Sequence, residues 1–171
     1  MRLLCLQTNQ FRNLASQKLE FSSRFNCIYG ENGSGKSSLL EAIYFLSVGR
    51  SFRSALASRA IRYETEQFHI FSTILGETTF NIGLEKNKQG KTRIKISNQS
   101  SSISDLAKLL PAQVLNPNSY TLLSGSPRVR RQFIDWGVFH VEPSFFYYGN
   151  SFSKSSNNVM RFSKIYEEKR I

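Results

Sequence analysis

Residues 30–37, Gly30-Glu31-Asn32-Gly33-Ser34-Gly35-Lys36-Ser37, match the pattern G-x-x-x-x-G-K-[ST]. This pattern belongs in a tight turn between a strand and a helix, where it cradles phosphate groups. The glycines allow backbone N–H groups to turn inward around phosphate oxygens. Lys36 is placed to reach β- and γ-phosphates, and the Ser37 hydroxyl to complete the shell of a Mg²⁺ ion. Glu31 and Ser34 contribute mainly their backbone N–H groups. Asn32 is placed to bond back and hold the curvature, and Ser38 to donate to an α-phosphate or serve as an ordinary first-turn residue. The flanks agree. Phe25-Asn26-Cys27-Ile28-Tyr29 reads as a strand. Lys36 to Leu46 reads as a helix with Leu39, Leu40, Ile43 and Leu46 on its apolar face, and Gly49 placed to end it. The helix adds the positive end of its dipole and unpaired N–H groups.

A partner rich in negative charge is consistent with the rest of the chain. The 171 residues carry a formal net charge of +11, a field suited to nucleic acid or another polyanion, or simply to solubility. Cys5 and Cys27 fall in separate apolar runs without a C-x-x-C pair, which predicts buried, reduced thiols instead of a disulfide or metal site. No apolar stretch approaches transmembrane length, so a cytoplasmic protein with no membrane association is expected.

Further strands are predicted at Arg2–Thr8 and Gln17–Phe21, with turn residues at Asn13 and Ser22-Ser23. Over residues 66–97, Phe68, Ile70, Ser72 and Ile74, then Phe80, Ile82 and Leu84, then Ile94 and Ile96 alternate with polar positions. That alternation predicts an antiparallel meander open to solvent on one face. Ile103, Leu106, Leu109 and Leu110 predict a helix capped by Ser102 or Ser104, and Val114-Leu115 a short strand. Ser126-Pro127 predicts the start of another helix, carrying Val129, Phe133, Ile134 and Trp136.

The loop G-E-N-G-S-G-K-S resembles that of SMC-type and related DNA-repair ATPases. Phe11-Arg12-Asn13-Leu14, Leu40-Glu41-Ala42-Ile43-Tyr44, Gly49-Arg50-Ser51-Phe52-Arg53 and the run from Arg130 to His140 narrow the likeness to the RecF family. The resemblance covers residues 1 to about 154. It implies an α/β P-loop NTPase, an ABC/SMC-type ATPase head with a mixed sheet plus an antiparallel strand arm. It further implies ATP and Mg²⁺ as cofactors, DNA as ligand (single-stranded or gapped), and an ATP-dependent homodimer. The implied work is DNA replication, recombinational repair and the SOS response, with recombination mediator proteins and RecA as partners. Arg12 and Asn13 would approach the nucleotide, or form a plain polar turn. Arg50 and Arg53, and separately Arg128, Arg130 and Arg131, are candidate DNA contacts, because a guanidinium fork suits phosphate. A solvated helix face or a head–head interface would use the same arginines.

The chain also departs from the family pattern. No apolar strand ending in Asp-Glu is present, and Leu123-Ser124-Gly125-Ser126-Pro127 only echoes the cross-head signature, so an incomplete head without ATP turnover is expected. Residues 155–171 diverge. Permitted codons for Ser155 to Phe162, read one frame over, spell a helix the family would have there, so a frameshifted tail is expected. Two other readings stand beside this one. The chain could be a functionless truncated fragment with an exposed apolar face and an open sheet edge. It could instead be another P-loop phosphotransferase or GTPase, although Asn87-Lys88-Gln89-Gly90 lacks the aspartate of a guanine-reading motif.

Overall fold

The structure is a computed structural model that describes residues 1–54 and 56–141. The expected tail at 155–171, and the end of the head segment before it, lie outside the described residues. The chain divides into two compact units, Met1–Ala112 and a second that begins at Gln113.

Alternating apolar and polar residues build the first unit's sheet. Its strands are β1 (Arg2–Asn9), β2 (Lys18–Glu20), β3 (Gln67–Leu75), β4 (Thr79–Asn87), β5 (Thr92–Ile96) and β6 (Gln99–Ser100). They lie in the order β2-β1-β3-β4-β5-β6, and every described pair is antiparallel. The register stacks apolar partners across one face, Ile70 opposite Leu84, Leu84 opposite Ile94, and Ile82 opposite Ile96. A one-residue slip would turn that whole set to solvent, so the alternation itself specifies the pairing. The meander matches expectation, and its other face is polar or half-buried.

One helix covers the apolar face. In α1 (Lys36–Val48), Leu39, Ala42, Phe45 and Leu46 join the core with Leu6, Phe11, Phe68, Ile70, Ile74, Ile82 and Leu84. Phe11, Phe45 and Phe68 meet edge to face, with ring centroids 4.9 to 5.8 Å apart. The helix lies rotated from its predicted face: Leu40 is half exposed, while Ala42 and Phe45 take the buried stripe. Gly49 ends it in the left-handed region (φ 68°), its N–H bonded to the Phe45 carbonyl. Beyond β6, α2 (Ile103–Leu109) begins with a full capping box, Ser102 accepting from the Asp105 N–H while the Asp105 carboxylate accepts from the Ser102 N–H. Ser102, not Ser104, is the cap.

Two predicted strands do not form. Residues 25–29 are irregular, with Phe25 90% and Tyr29 89% exposed, and Cys27 exposed with them, while Cys5 is half-buried. A strand needs a neighbour to complete its ladder, and no described strand runs beside this one. The buried thiol expected at Cys27 is corrected on the same ground. Val114-Leu115 is also irregular, and Leu115 is exposed. Within the expected sheet, the pairs among the described residues are antiparallel.

The second unit contains α3 (Thr121–Ser124) and α4 (Pro127–Val141), the latter starting at the predicted Ser-Pro boundary. Phe133 and Ile134 are exposed along α4, and Phe139 is buried.

Phe11→Ala should lower unfolding free energy by about 3–5 kcal/mol, as for other large aromatic truncations in a packed core, read as a shifted urea midpoint with little change in slope. Ser102 lowers the Asp105 carboxyl from its ordinary value, first through its hydroxyl and then its backbone N–H. The capping box therefore contributes fully above the ordinary carboxylate pKa and is lost as pH falls through the depressed one. Ser102→Ala should destabilise the chain at neutral pH and by less in strong acid, measured by thermal melting across pH.

Candidate phosphate-binding site

The loop at 30–37 owes its shape to backbone conformations that side chains resist. Gly33 has φ 84° and Gly35 φ 102°, both left-handed. A Cβ on Gly35 would also lie 2.8 Å from the Leu14 Cδ2 methyl, whereas one on Gly33 would meet open space. At Gly35 sterics and dihedral both demand glycine; at Gly33 only the dihedral does. Gly35 is the N-cap of α1, with no side-chain cap bond and no acidic residue in the first turn. The amides that a capping side chain would otherwise engage remain available to an anion.

Lys36 folds back over the loop, its Nζ donating to the Gly30 carbonyl at 2.8 Å and the Glu31 carbonyl at 2.7 Å. This sets the ammonium against the loop's own carbonyls. Ser37 is exposed on the first turn. Ser38 is buried, and its hydroxyl donates to Asn13 Oδ1 at 2.9 Å. Asn13 in turn donates from Nδ2 to the Gly33 carbonyl at 2.7 Å. The brace for the loop's curvature is therefore Asn13, reaching in from the β1–β2 connection; Asn32 is exposed. Ser34 N–H closes a turn onto the Glu31 carbonyl, and the side chains of Glu31 and Ser34 are exposed.

Arg12 does not face the loop. Its Nε and Nη2 form a two-pronged pair with Glu41, at 3.0 and 2.7 Å. Glu41 is fully buried on α1 and also accepts a short bond from the Ser51 hydroxyl. Arg53 approaches the same carboxylate at 3.6 Å and remains 45% exposed. Sequence reasoning quoted Glu41 without giving it a role. A glutamate between Leu40 and Ala42, within an otherwise apolar run, is the available signal that its charge needs a partner.

Of the other candidate arginines, Arg50 follows α1 and Arg128, Arg130 and Arg131 belong to α4. Arg50 is exposed and has no acidic partner among the described residues. Arg128 is exposed on α4; Arg130 donates to the Gly125 carbonyl at 2.8 Å. Burial raises the Asp135 carboxyl above its ordinary value, and nearby Arg131 opposes that. His140 is pushed down by burial. His69 lies between Gln67 and Glu85 on the sheet face, and no cluster of metal-ligating side chains occurs among the described residues.

ATP and Mg²⁺ fit these residues: a glycine-shaped concavity, uncapped helix amides, an inward ammonium and a serine hydroxyl at the first turn. A Gly35→Ala substitution should cost about 1–3 kcal/mol from left-handed strain alone, more with the Leu14 contact. Thermal denaturation of this variant beside Gly33→Ala, which lacks the contact, checks the difference.

Comparison with known proteins agrees with this geometry. The model of the RecF/RecN/SMC N terminal domain matches residues 2–128. The DNA replication and repair protein RecF of Psychromonas ingrahamii is 43% identical over 176 residues, spanning 100% of this chain and 49% of that protein. RecF of Shewanella woodyi is 48% identical over 147 residues, covering 85% of this chain and 40% of its own. The chain thus spans about half the length of the curated relatives it matches. Among solved structures, the recombination mediator protein RecF with ATPrS superimposes with TM-score 0.73 at 30% identity, covering 85% of this chain and 40% of that one. RecF with ATP gives 0.75 at 26% identity, covering 96% and 48%. A structure from work on SMC ATPases at 21% identity, TM-score 0.64, covering 80% of this chain and 99% of that one, shares the fold. With the matched domain covering most of its length and RecF proteins among its relatives, the chain belongs to the RecF/RecN/SMC family and is RecF-like.

Proposed function

We propose that this chain binds the triphosphate of ATP, with Mg²⁺, as the nucleotide-holding part of a RecF-type DNA replication and repair protein. The observation that carries the reading is the Gly33–Gly35 left-handed turn delivering Lys36 into its own curve at the uncapped start of α1. Gly30, Glu31, Asn32, Gly33, Ser34 and Gly35 supply the cradle's backbone, Lys36 the countercharge, and Ser37 the hydroxyl for the metal. Mg²⁺ would offset phosphate charge there. Asn13 and Ser38 support the cradle by their mutual bond, and Arg12 acts from behind it through Glu41.

RecF relatives in complex with ATP and ATPrS support the choice of nucleotide. DNA is engaged by phosphate contacts from Arg50 and Arg53, with Arg128, Arg130 and Arg131 a second group, in support of RecA loading and the SOS response. A cytoplasmic location, partnership with mediator proteins and an ATP-dependent dimer in the longer family member accompany this reading. No described helix is long and apolar enough to cross a membrane. The divergent stretch 155–171 is read as a frameshifted tail, which sequencing the coding DNA through that point would test.

Titration with a fluorescent ATP analogue should show saturable binding that Lys36→Ala weakens at least about tenfold, the effect of losing a charged phosphate contact. Equal preference for GTP would point to a different P-loop class, and no binding by the folded wild type would overturn the reading. Affinity for duplex DNA should fall steeply with salt, the slope counting the phosphates engaged.

A further inference from the structure

Glu41 is a fully buried carboxylate served by donors from two separate segments, and the sharing has a definite pattern. Oε1 accepts from Arg12 Nη2 at 2.7 Å and from the Ser51 hydroxyl. Oε2 accepts from Arg12 Nε at 3.0 Å and faces Arg53 Nη1 at 3.6 Å. Each oxygen therefore has one partner from the segment before β2 and one from the turn after α1. No donor can move without changing the bond its counterpart makes to the same oxygen.

Both segments are held in place elsewhere. Gln10 and Arg12 are left-handed, at φ 56° and 51°, a conformation that non-glycine residues keep only when their surroundings enforce it. Here the enforcement is visible: Arg12 N–H donates to the Ala60 carbonyl, Arg62 N–H to the Gln10 carbonyl, and the Arg62 guanidinium to the Arg12 and Leu14 carbonyls. The adjacent Asn13 holds Gly33 and Ser38. On the other side, Ser51 Oγ accepts from the Arg53 and Ser54 N–H groups, so the hydroxyl that donates to Glu41 also shapes the turn carrying Arg53. Arg53 keeps one edge toward the carboxylate and is 45% exposed. A guanidinium so placed can grip a phosphate from solvent with its remaining N–H groups.

We propose that Glu41 is a positioning residue that couples a phosphate gripped by Arg53 to the geometry of the nucleotide loop. The path runs from Arg53 and Ser51 through the two Glu41 oxygens to Arg12, then through Asn13 to Gly33. This rests on the nucleotide reading above. Because linkage is reciprocal, DNA phosphate bound at Arg53 changes nucleotide affinity by the same factor that nucleotide changes DNA affinity. Neither Glu41 nor Ser51 touches either ligand.

The test uses the full 171-residue chain. ATPγS affinity is measured by calorimetry with and without a saturating short DNA duplex, for wild type, Glu41→Gln and Ser51→Ala. Wild type should show a coupling factor of about 5-fold or more. In both variants that factor should fall to within about 2-fold of unity, while Ser51→Ala changes ATPγS affinity alone by less than about 2-fold. A residue that merely supports the fold would lower the melting temperature and leave the factor intact. If Glu41→Gln fails to fold, Ser51→Ala decides, since it leaves the Arg12–Glu41 pair whole. Full coupling retained in the folded variants overturns the inference, as does a wild type that binds both ligands independently. A wild type that binds no ATPγS overturns the nucleotide reading and this inference with it.

Discussion

The edge-to-face contact of Phe11, Phe45 and Phe68 is the constraint from which the site's geometry follows. The three rings come from the β1–β2 connection, α1 and β3, so one cluster fixes the helix over the sheet and the connection beside the helix. Each pair gains about 0.5–1.5 kcal/mol beyond the area it buries, from the fit of ring edges to ring faces. With α1 seated, its first turn and the glycines before it have a defined position. The residue after Phe11 is then aimed at Glu41, and the one after that at the loop. Packing, not the loop itself, decides where the phosphate cradle points.

Several arginines are engaged by the protein itself while staying open to solvent. Arg12 and Arg53 face Glu41, Arg62 ties down backbone carbonyls, and Arg130 bonds the Gly125 carbonyl. Each such contact uses part of a guanidinium fork to hold a loop in shape and leaves other N–H groups facing solvent. A buried carboxylate with two guanidiniums is costly to disturb, because removing one partner strands a charge away from water. Together with the backbone bonds to Ala60 and Arg62, that pair keeps Arg12 in its left-handed conformation in the segment before β2.

Legibility in the sequence followed the range of the interaction involved. The phosphate loop was readable because glycine dihedrals and the lysine three residues after Gly33 are local properties. The meander was readable because alternation alone specifies a half-buried strand. The run from Phe25 to Tyr29 misled, since its β-type composition says nothing about whether a neighbouring strand exists to receive its hydrogen bonds. The buried face of α1 was off by part of a turn: Leu40 outranks Ala42 in hydrophobicity, yet the small residue fits where the sheet lies close. Glu41 escaped notice for a similar reason. Its partner Arg12 is 29 positions away, so no window of sequence could show that the two charges meet. For Asn13 the sequence leaves nucleotide approach and a polar turn both open; its amide links Gly33 of the loop to Ser38 of α1, a role visible only once the β1–β2 connection is placed.

The sheet is bordered on one side by the three residues of β2 and on the other by the two of β6. Long, flat borders are where polypeptides from separate molecules zip together into fibrils; stubs of two or three residues give an incoming chain too few ladder rungs to grip. The two short border strands thus act as built-in terminators of the ladder, leaving the described sheet closed to edgewise growth.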